Sequence, residues 1–168
     1  MKIIFISNYS HLYGANRSLL TLVDHFHNND NSVCVLLPSK GPMSDKLSQK
    51  GIQYYTIPYY SSFLYVKREL KYFSVPILTL LNFLSFPFIF WKIIFFNPDL
   101  IYSNTSAENT GILYAKLLNI KHISHIREFM DLDHGSFFIL GQKLKRKFIN
   151  LSDGVIFVSK SVKEEIVK

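Results

Sequence analysis

The chain has 168 residues, long enough for one well-buried domain and too short for two ordinary ones. It is 48% hydrophobic and 15% aromatic against 18% charged, which excludes intrinsic disorder and leaves more apolar surface than a soluble domain needs. A net charge of +7 suits an anionic partner such as phosphate, nucleic acid or a lipid headgroup layer, and does not choose among them.

The first element, "KIIFIS" (2–7), is too short before Asn8 and Ser10 for a signal peptide and reads as a strand. Leu19, Leu22, Val23 and Phe26 then share one helical face. "VCVLLP" (33–38) is a second strand holding Cys34, the only cysteine. That excludes an intrachain disulfide, and the setting is that of a buried strand thiol in a cytoplasmic protein. "GPMSDKLSQKG" follows as a short helix, with proline near its start and glycine after its end. "IQYYTIP" (52–58), "DLIYSN" (99–104), "HISHI" (122–126) and "GVIFVS" (154–159) are further strands, each beside a helix-like segment. Thr105 and Glu108 have capping-box spacing ahead of a helix near 107–118. Alternation of helices with nearly continuous apolar strands predicts an α/β fold. It is a Rossmann-like, doubly wound parallel sheet with helices on both faces, forming a single domain over 1–168.

In such sheets ligands bind beyond the carboxyl ends of the strands. The segments there are "SNYSHLYGANRS" (7–18), "SNTSAEN" (103–109), "HIREFMD" (125–131) and "SKS" (159–161), all polar. Gly14 stands just before a helix, where a missing Cβ lets an anion approach Ala15 and its neighbouring N–H groups. It is neither a GxGxxG fingerprint nor a Walker loop. Arg17 opposes the helix dipole, a mild cost that favours an anionic partner; its plainer reading is an exposed first-turn residue. Asn104 and Thr105 read as helix caps, and His125 as either a ligand-facing or a satisfied core histidine.

"YGANRSLLTL", "PDLIYSNTS", "HISHIREF" and "SDGVIFVSKSVKEEI", in that order and spacing, resemble the N-terminal domain of GT-B glycosyltransferases of family 4 over essentially the whole chain except 72–96. The resemblance implies an acceptor-side domain facing a donor-binding C-terminal domain that has no counterpart in these residues. It implies transfer from a nucleotide sugar to a hydroxyl of a lipid-linked or cell-envelope glycan, with no cofactor, no metal and retention of configuration, and it implies that this half alone is inactive. Gly14 matches the second glycine of the family's Gly-Gly turn near the donor diphosphate, and Tyr13 departs from that pattern, predicting a less open turn. His125 matches the family histidine near the reacting oxygens, and Arg127 and Glu128 match an "RE" pair after it. A non-catalytic module that binds an envelope lipid or a partner subunit is the other reading. Nucleic-acid binding lacks a recognisable stacking pattern in "YYTIPYYSSFLY" (54–65).

Two stretches carry competing readings. "DLD" (131–133), with His134 beside it, could hold a divalent ion but reads first as a loop turn. "YFSVPILTLLNFLSFPFIFW" (72–91) is uncharged between Lys71 and Lys92 and long enough for a bilayer of about 30 Å. Pro76, Pro87, recurrent polar residues and the need for both flanks to rejoin one sheet argue against a span. The expectation is a bent hairpin or long helix at the membrane interface, with Phe88, Phe90 and Trp91 in contact with lipid; the alternative is a wholly internal helix. "KLKRK" (143–147) reads as a solvated helix face.

Overall fold

Alternating apolar strands and amphipathic helices build a six-stranded, wholly parallel sheet. The computed structural model describes residues 1–60, 65–67, 74–105, 110–127, 136–138 and 142–167. The elements are β1 (Lys2–Ile6), α1 (Gly14–Asn28), β2 (Ser32–Leu37), α2 (Pro42–Gln49), β3 (Gln53–Thr56), β4 (Tyr65–Lys67) and α3 (Ser74–Phe96). They continue with β5 (Leu100–Ser103), α4 (Thr110–Leu118), β6 (Lys121–Ile126), β7 (Ser136–Phe138), α5 (Gln142–Asn150), β8 (Gly154–Phe157) and α6 (Lys160–Val167). The strand order is β3-β2-β1-β5-β6-β8, and β4 and β7 form a separate antiparallel pair.

The two faces of β1 explain the layering. Ile3 and Phe5 point to one side, where Leu19 and Val23 of α1 and Met43 and Leu47 of α2 bury them. Ile4 and Ile6 point to the other, against Ile89 and Ile93 of α3 and Tyr114 and Ala115 of α4. Each such aliphatic side chain withdrawn from water contributes about 1.5–3 kcal/mol. Because α1 follows β1 onto one face and α4 follows β5 onto the other, the loops after these neighbouring strands diverge, leaving a crevice at their carboxyl ends.

Local chemistry ends the helices. Gly51 after α2, Asn97 after α3 and Asn119 after α4 adopt left-handed backbone, the conformation that stops a helix. Cys34 is buried in β2, as its neighbours predict, and burial pushes its thiol up to about 12 against the small opposing effect of the Lys92 cation.

Of the two forms expected for 72–96, Ser74–Phe96 takes the long helix, with Pro87 inside it, and not the hairpin. Nor is it internal: Ile89, Ile93 and Phe96 pack on the sheet, while Phe83, Phe88 and Trp91 are exposed. Phe90, expected to meet lipid, instead turns inward and stacks on Phe86 at 5.9 Å, because its position faces the core side of the helix. The short strands β4 and β7 were not expected, since three residues are too few for a period-two pattern to register.

Candidate active site at the carboxyl edge of the sheet

The loop that leaves β1 is fixed by a buried asparagine. Asn16, wholly buried in the first turn of α1, donates from Nδ2 to the carbonyls of Tyr9 and His11, both at 2.8 Å. Its Oδ1 accepts the Ser7 hydroxyl at 2.6 Å. From the neighbouring strand side, the buried Tyr59 hydroxyl lies 2.5 Å from the Ser7 carbonyl and 3.0 Å from that of Leu36. Arg17 is turned outward, with Nε donating to the Leu12 carbonyl at 2.8 Å, so it braces the loop and stands apart from the residues at the ends of β5 and β6.

Gly14 begins α1 on that frame. The N-cap residue Tyr13 offers no side-chain oxygen to the helix, and the first turn carries no acid. The positive end of the helix therefore has no counter-charge from its own sequence. A Cβ placed on Gly14 meets nothing within 4 Å, and its φ lies outside the left-handed region. Among the described residues beyond its chain neighbours, neither backbone conformation nor packing demands glycine here. The ring of Tyr13 lies against His11 at 5.5 Å and Tyr9 at 5.7 Å.

Opposite, the ends of β5 and β6 are latched to α1. Asn104 is fully buried; its Nδ2 donates to the Ala15 carbonyl at 3.2 Å and its Oδ1 accepts from Arg127 Nε at 2.9 Å. Arg127 Nη1 donates to Ser18 Oγ at 3.0 Å. Asn104 is thus a bridge between three elements and not simply a helix cap. The Thr105 hydroxyl, expected to cap α4, is buried without a hydrogen-bond partner among the described residues, as is Asn8 Oδ1 in the loop after β1. Burying an unpaired polar atom costs about 1–3 kcal/mol. Glu128, the "DLD" pair Asp131 and Asp133, His134 and Glu108 lie outside the described residues.

His125, two residues before Arg127, makes a short hydrogen bond through Nδ1 to the Tyr102 hydroxyl. Burial, and secondly the Arg127 cation, lower its pKa to about 4, so the imidazole is neutral at pH 7. Burial raises the Tyr102 pKa, opposed by the charge of Arg127 and a hydrogen bond from it. The Tyr102 hydroxyl and His125 Nδ1 share this bond, and which of them donates follows the imidazole tautomer. A cavity of about 800 Å³ opens beside His125 and Arg127, walled by Phe5, Leu22, Tyr102 and Ile156. Among the described residues, no cluster of three or more His, Cys, Asp or Glu side chains has metal-binding geometry.

A second histidine has a different setting. His122, wholly buried, bonds Ser103 Oγ through Nε2 at 2.9 Å and Ser152 Oγ through Nδ1 at 3.0 Å. Burial lowers its pKa to about 4, with Asp153 opposing and Lys116 adding to the shift. It joins β5, β6 and the turn before β8, a packing role.

The sequence-derived residues Gly14, Ala15, Asn104, His125 and Arg127 thus share one edge, while Phe88 and Trp91 belong to α3 on the opposite face. Sequence reasoning missed Ser7, Asn16, Ser18 and Tyr102. Asn16 and Ser18 stood inside "YGANRS", and Tyr102 two residues before Asn104, but only the fold shows which way they turn.

A parallel sheet of this order, with a helix start lacking side-chain cap and acid after its first strand and a polar crevice at the switch point, has the architecture of one half of a GT-B glycosyltransferase. Anabaena HepE in complex with UDP-glucose matches with a TM-score of 0.68 at 19% identity, over 99% of this chain and 40% of HepE. The lipopolysaccharide outer core galactosyltransferase WaaB in its apo form matches at 0.62 and 18% identity, over 99% of this chain and 42% of that one. Acinetobacter baumannii MurG matches at 0.60 and 14% identity, over 93% and 40%. The chain therefore spans about 40% of the length of these solved structures. No curated protein matches it in sequence. Residues 13–168 match the family described as Glycosyltransferase Family 4, and the chain belongs to that family.

Proposed function

We propose that this chain is the acceptor-side domain of an enzyme that moves a glycosyl group from a nucleotide-sugar donor to a hydroxyl of a lipid-linked or cell-envelope glycan. The work would be done at the cytoplasmic face of the membrane, by a metal-independent, configuration-retaining reaction completed by a second, donor-binding domain. One observation carries the reading. An uncompensated helix start at Gly14, the Arg127 cation and a neutral His125 converge on one polar edge, where two buried oxygens lack partners among the described residues.

The chemistry follows from charge. As the bond between the sugar and the nucleotide breaks, negative charge grows on the departing diphosphate. Preorganised N–H groups at the start of α1 and a guanidinium held by Asn104 and Ser18 stabilise that charge without reorganising. A neutral His125, held at Nδ1 by Tyr102, leaves Nε2 for a hydrogen bond near the reacting oxygens; as a cation it would add charge beside Arg127. Gly14 is open because the ligand, and not the chain, needs that space. No nucleic-acid partner is invoked.

The test is to assay the complete enzyme with a panel of nucleotide sugars and membrane extract, following nucleoside diphosphate release and labelled glycan together. Acceptor-dependent release is expected. If no donor is consumed by a folded complete enzyme, the non-catalytic binding module is the correct reading.

A further inference from the structure

The helix α3 has two different halves. From Phe86 onward it is docked, with Ile89, Ile93 and Phe96 buried in the sheet core and Phe86 stacked on Tyr114 at 4.9 Å. At its waist it is strapped to the loop after β3. Asn82 accepts from the Tyr60 N–H and donates to the Tyr60 carbonyl, each at 2.7 Å, and Ser85 donates to the Pro58 carbonyl. Ahead of that strap, Ile77, Leu80, Phe83 and Leu84 are all exposed. The exposed arc then continues down the docked half through Phe88, Trp91 and Phe95.

We propose that this outer arc seats the domain in the interface of an anionic bilayer, helix axis along the membrane plane. At 100° per residue the exposed apolar positions cover roughly 160° of the helix. Ile77 is 60% exposed, Phe83 75%, Phe88 66%, Trp91 55% and Phe95 78%. A groove on a protein partner would take a narrow stripe bordered by polar or charged positions. Here one border, at Phe83 and Ile94, is apolar, and Lys92 is the one charged residue of the helix. A broad, uncharged arc matches a medium better than a groove. The net charge of +7 supplies the attraction to anionic headgroups, and Lys92, with its ammonium 4.5 Å from the Tyr55 ring centroid, sits at the arc's border. The helix does not span: β3 before it and β5 after it are strands of one sheet, so both ends stay on one side.

The strap gives this seat a consequence for the substrate, which rests on the transferase reading above. Pro58, Tyr59 and Tyr60 also wall a polar cavity of about 370 Å³ whose other lining residues include Asn8, Ser10 and His11, in the loop that leads into Gly14. Asn82 faces away from the arc, so seating α3 in the interface holds this cavity one helix diameter, ~10 Å, from the membrane surface. An acceptor with a polar head and a lipid tail can then place its head there while the tail stays in the bilayer.

Trp91 is the only tryptophan of the 168 residues, so its fluorescence reports the arc directly. The chain is mixed with vesicles of phosphatidylglycerol and phosphatidylcholine, with and without brominated acyl chains, at low and high salt. A blue shift, quenching by brominated lipid and partial release by salt are expected. Phe83→Ser with Phe88→Ser should lower vesicle partitioning about tenfold or more. Leu117→Ser, at an exposed position on α4, should leave it unchanged. Unshifted, unquenched Trp91 emission at low salt overturns the proposal, and so does a lipid-independent blue shift that rises with protein concentration, which would make the arc a dimer interface. Binding is read without any sugar donor, so vesicle binding with no transfer by the complete enzyme would refute the transferase reading alone. In the active complete enzyme the serine variants should retain transfer to a water-soluble acceptor and lose it to a vesicle-embedded one; equal loss on both would refute the acceptor role of the seat.

Discussion

Removing the amide of Asn104 separates the two halves of the proposed site. In Asn104→Ala the Arg127 guanidinium loses its 2.9 Å acceptor and the Ala15 carbonyl loses a 3.2 Å donor, at a position fully buried between β5 and α1. A hydrogen bond to a charged group is worth about 1.5–3 kcal/mol and a neutral one about 0.5–1.5, so the chain should lose about 2–4 kcal/mol. With a urea dependence of about 2 kcal/mol per molar, the unfolding midpoint should fall by about 1–2 M. Asn104→Asp makes the complementary test, because the carboxylate keeps and strengthens the bond to Arg127 but gives up the donor to Ala15 and Asn16 and sets an anionic oxygen against both acceptors. Its stability should fall by about 1–3 kcal/mol. Yet its negative charge then stands beside the start of α1, and in the complete enzyme it should weaken donor binding through repulsion of the diphosphate. Circular dichroism in urea and donor titration read the two effects separately. An Asn104→Ala midpoint equal to that of wild type would refute the bridging role, and undiminished donor affinity in Asn104→Asp would refute the anion site.

Three other outcomes follow from the same structure. His122 has a folded pKa of about 4 against about 6.5 unfolded, so the unfolded chain takes up the proton first. The stability it contributes is full above pH 6.5 and is lost as pH falls toward 4; between pH 7.5 and 5 this is a loss of about 2 kcal/mol in urea unfolding, on top of the loss from His125, and His122→Asn should remove that share only. Tyr102→Phe removes the partner of His125 Nδ1, and in the complete enzyme it should lower kcat more than it raises KM and alter the acid limb of the pH profile, whereas a purely structural role would leave that profile in place. Cys34 should resist a thiol reagent in the folded chain and react on unfolding, since burial holds it protonated; rapid labelling of the native chain would contradict the packing of β2.

The strands and the edge they create were legible because a buried parallel strand writes itself as an unbroken apolar run, as in "KIIFI" and "SVCVLL". Gly14 and Arg127 could be marked as candidates because they follow such runs. What could not be read was direction. Asn104 looks like a cap in "YSNTS", and nothing local says that its amide reaches across to Ala15, 89 residues away. Tyr102 reads as one more apolar strand position until the pairing of β5 with β6 sets its hydroxyl against His125. In α3, charged only at Lys92, length was legible but periodicity was not, since both its faces are apolar. Only packing on the sheet separates the inward Phe90 from the outward Phe88 and Trp91.

The central claim is that the turn at Gly14 is kept open for the donor, and a graded substitution measures it. A Cβ at Gly14 meets no atom within 4 Å and no strained φ, so Gly14→Ala should leave the fold intact and stabilise the start of α1 by up to about 1 kcal/mol. Gly14→Val should fold as well. In the complete enzyme, sugar transfer should nevertheless fall in Gly14→Ala and be abolished in Gly14→Val, so that stability and turnover move independently. Wild-type turnover in Gly14→Val would show that the glycine does not face the donor and would contradict the site.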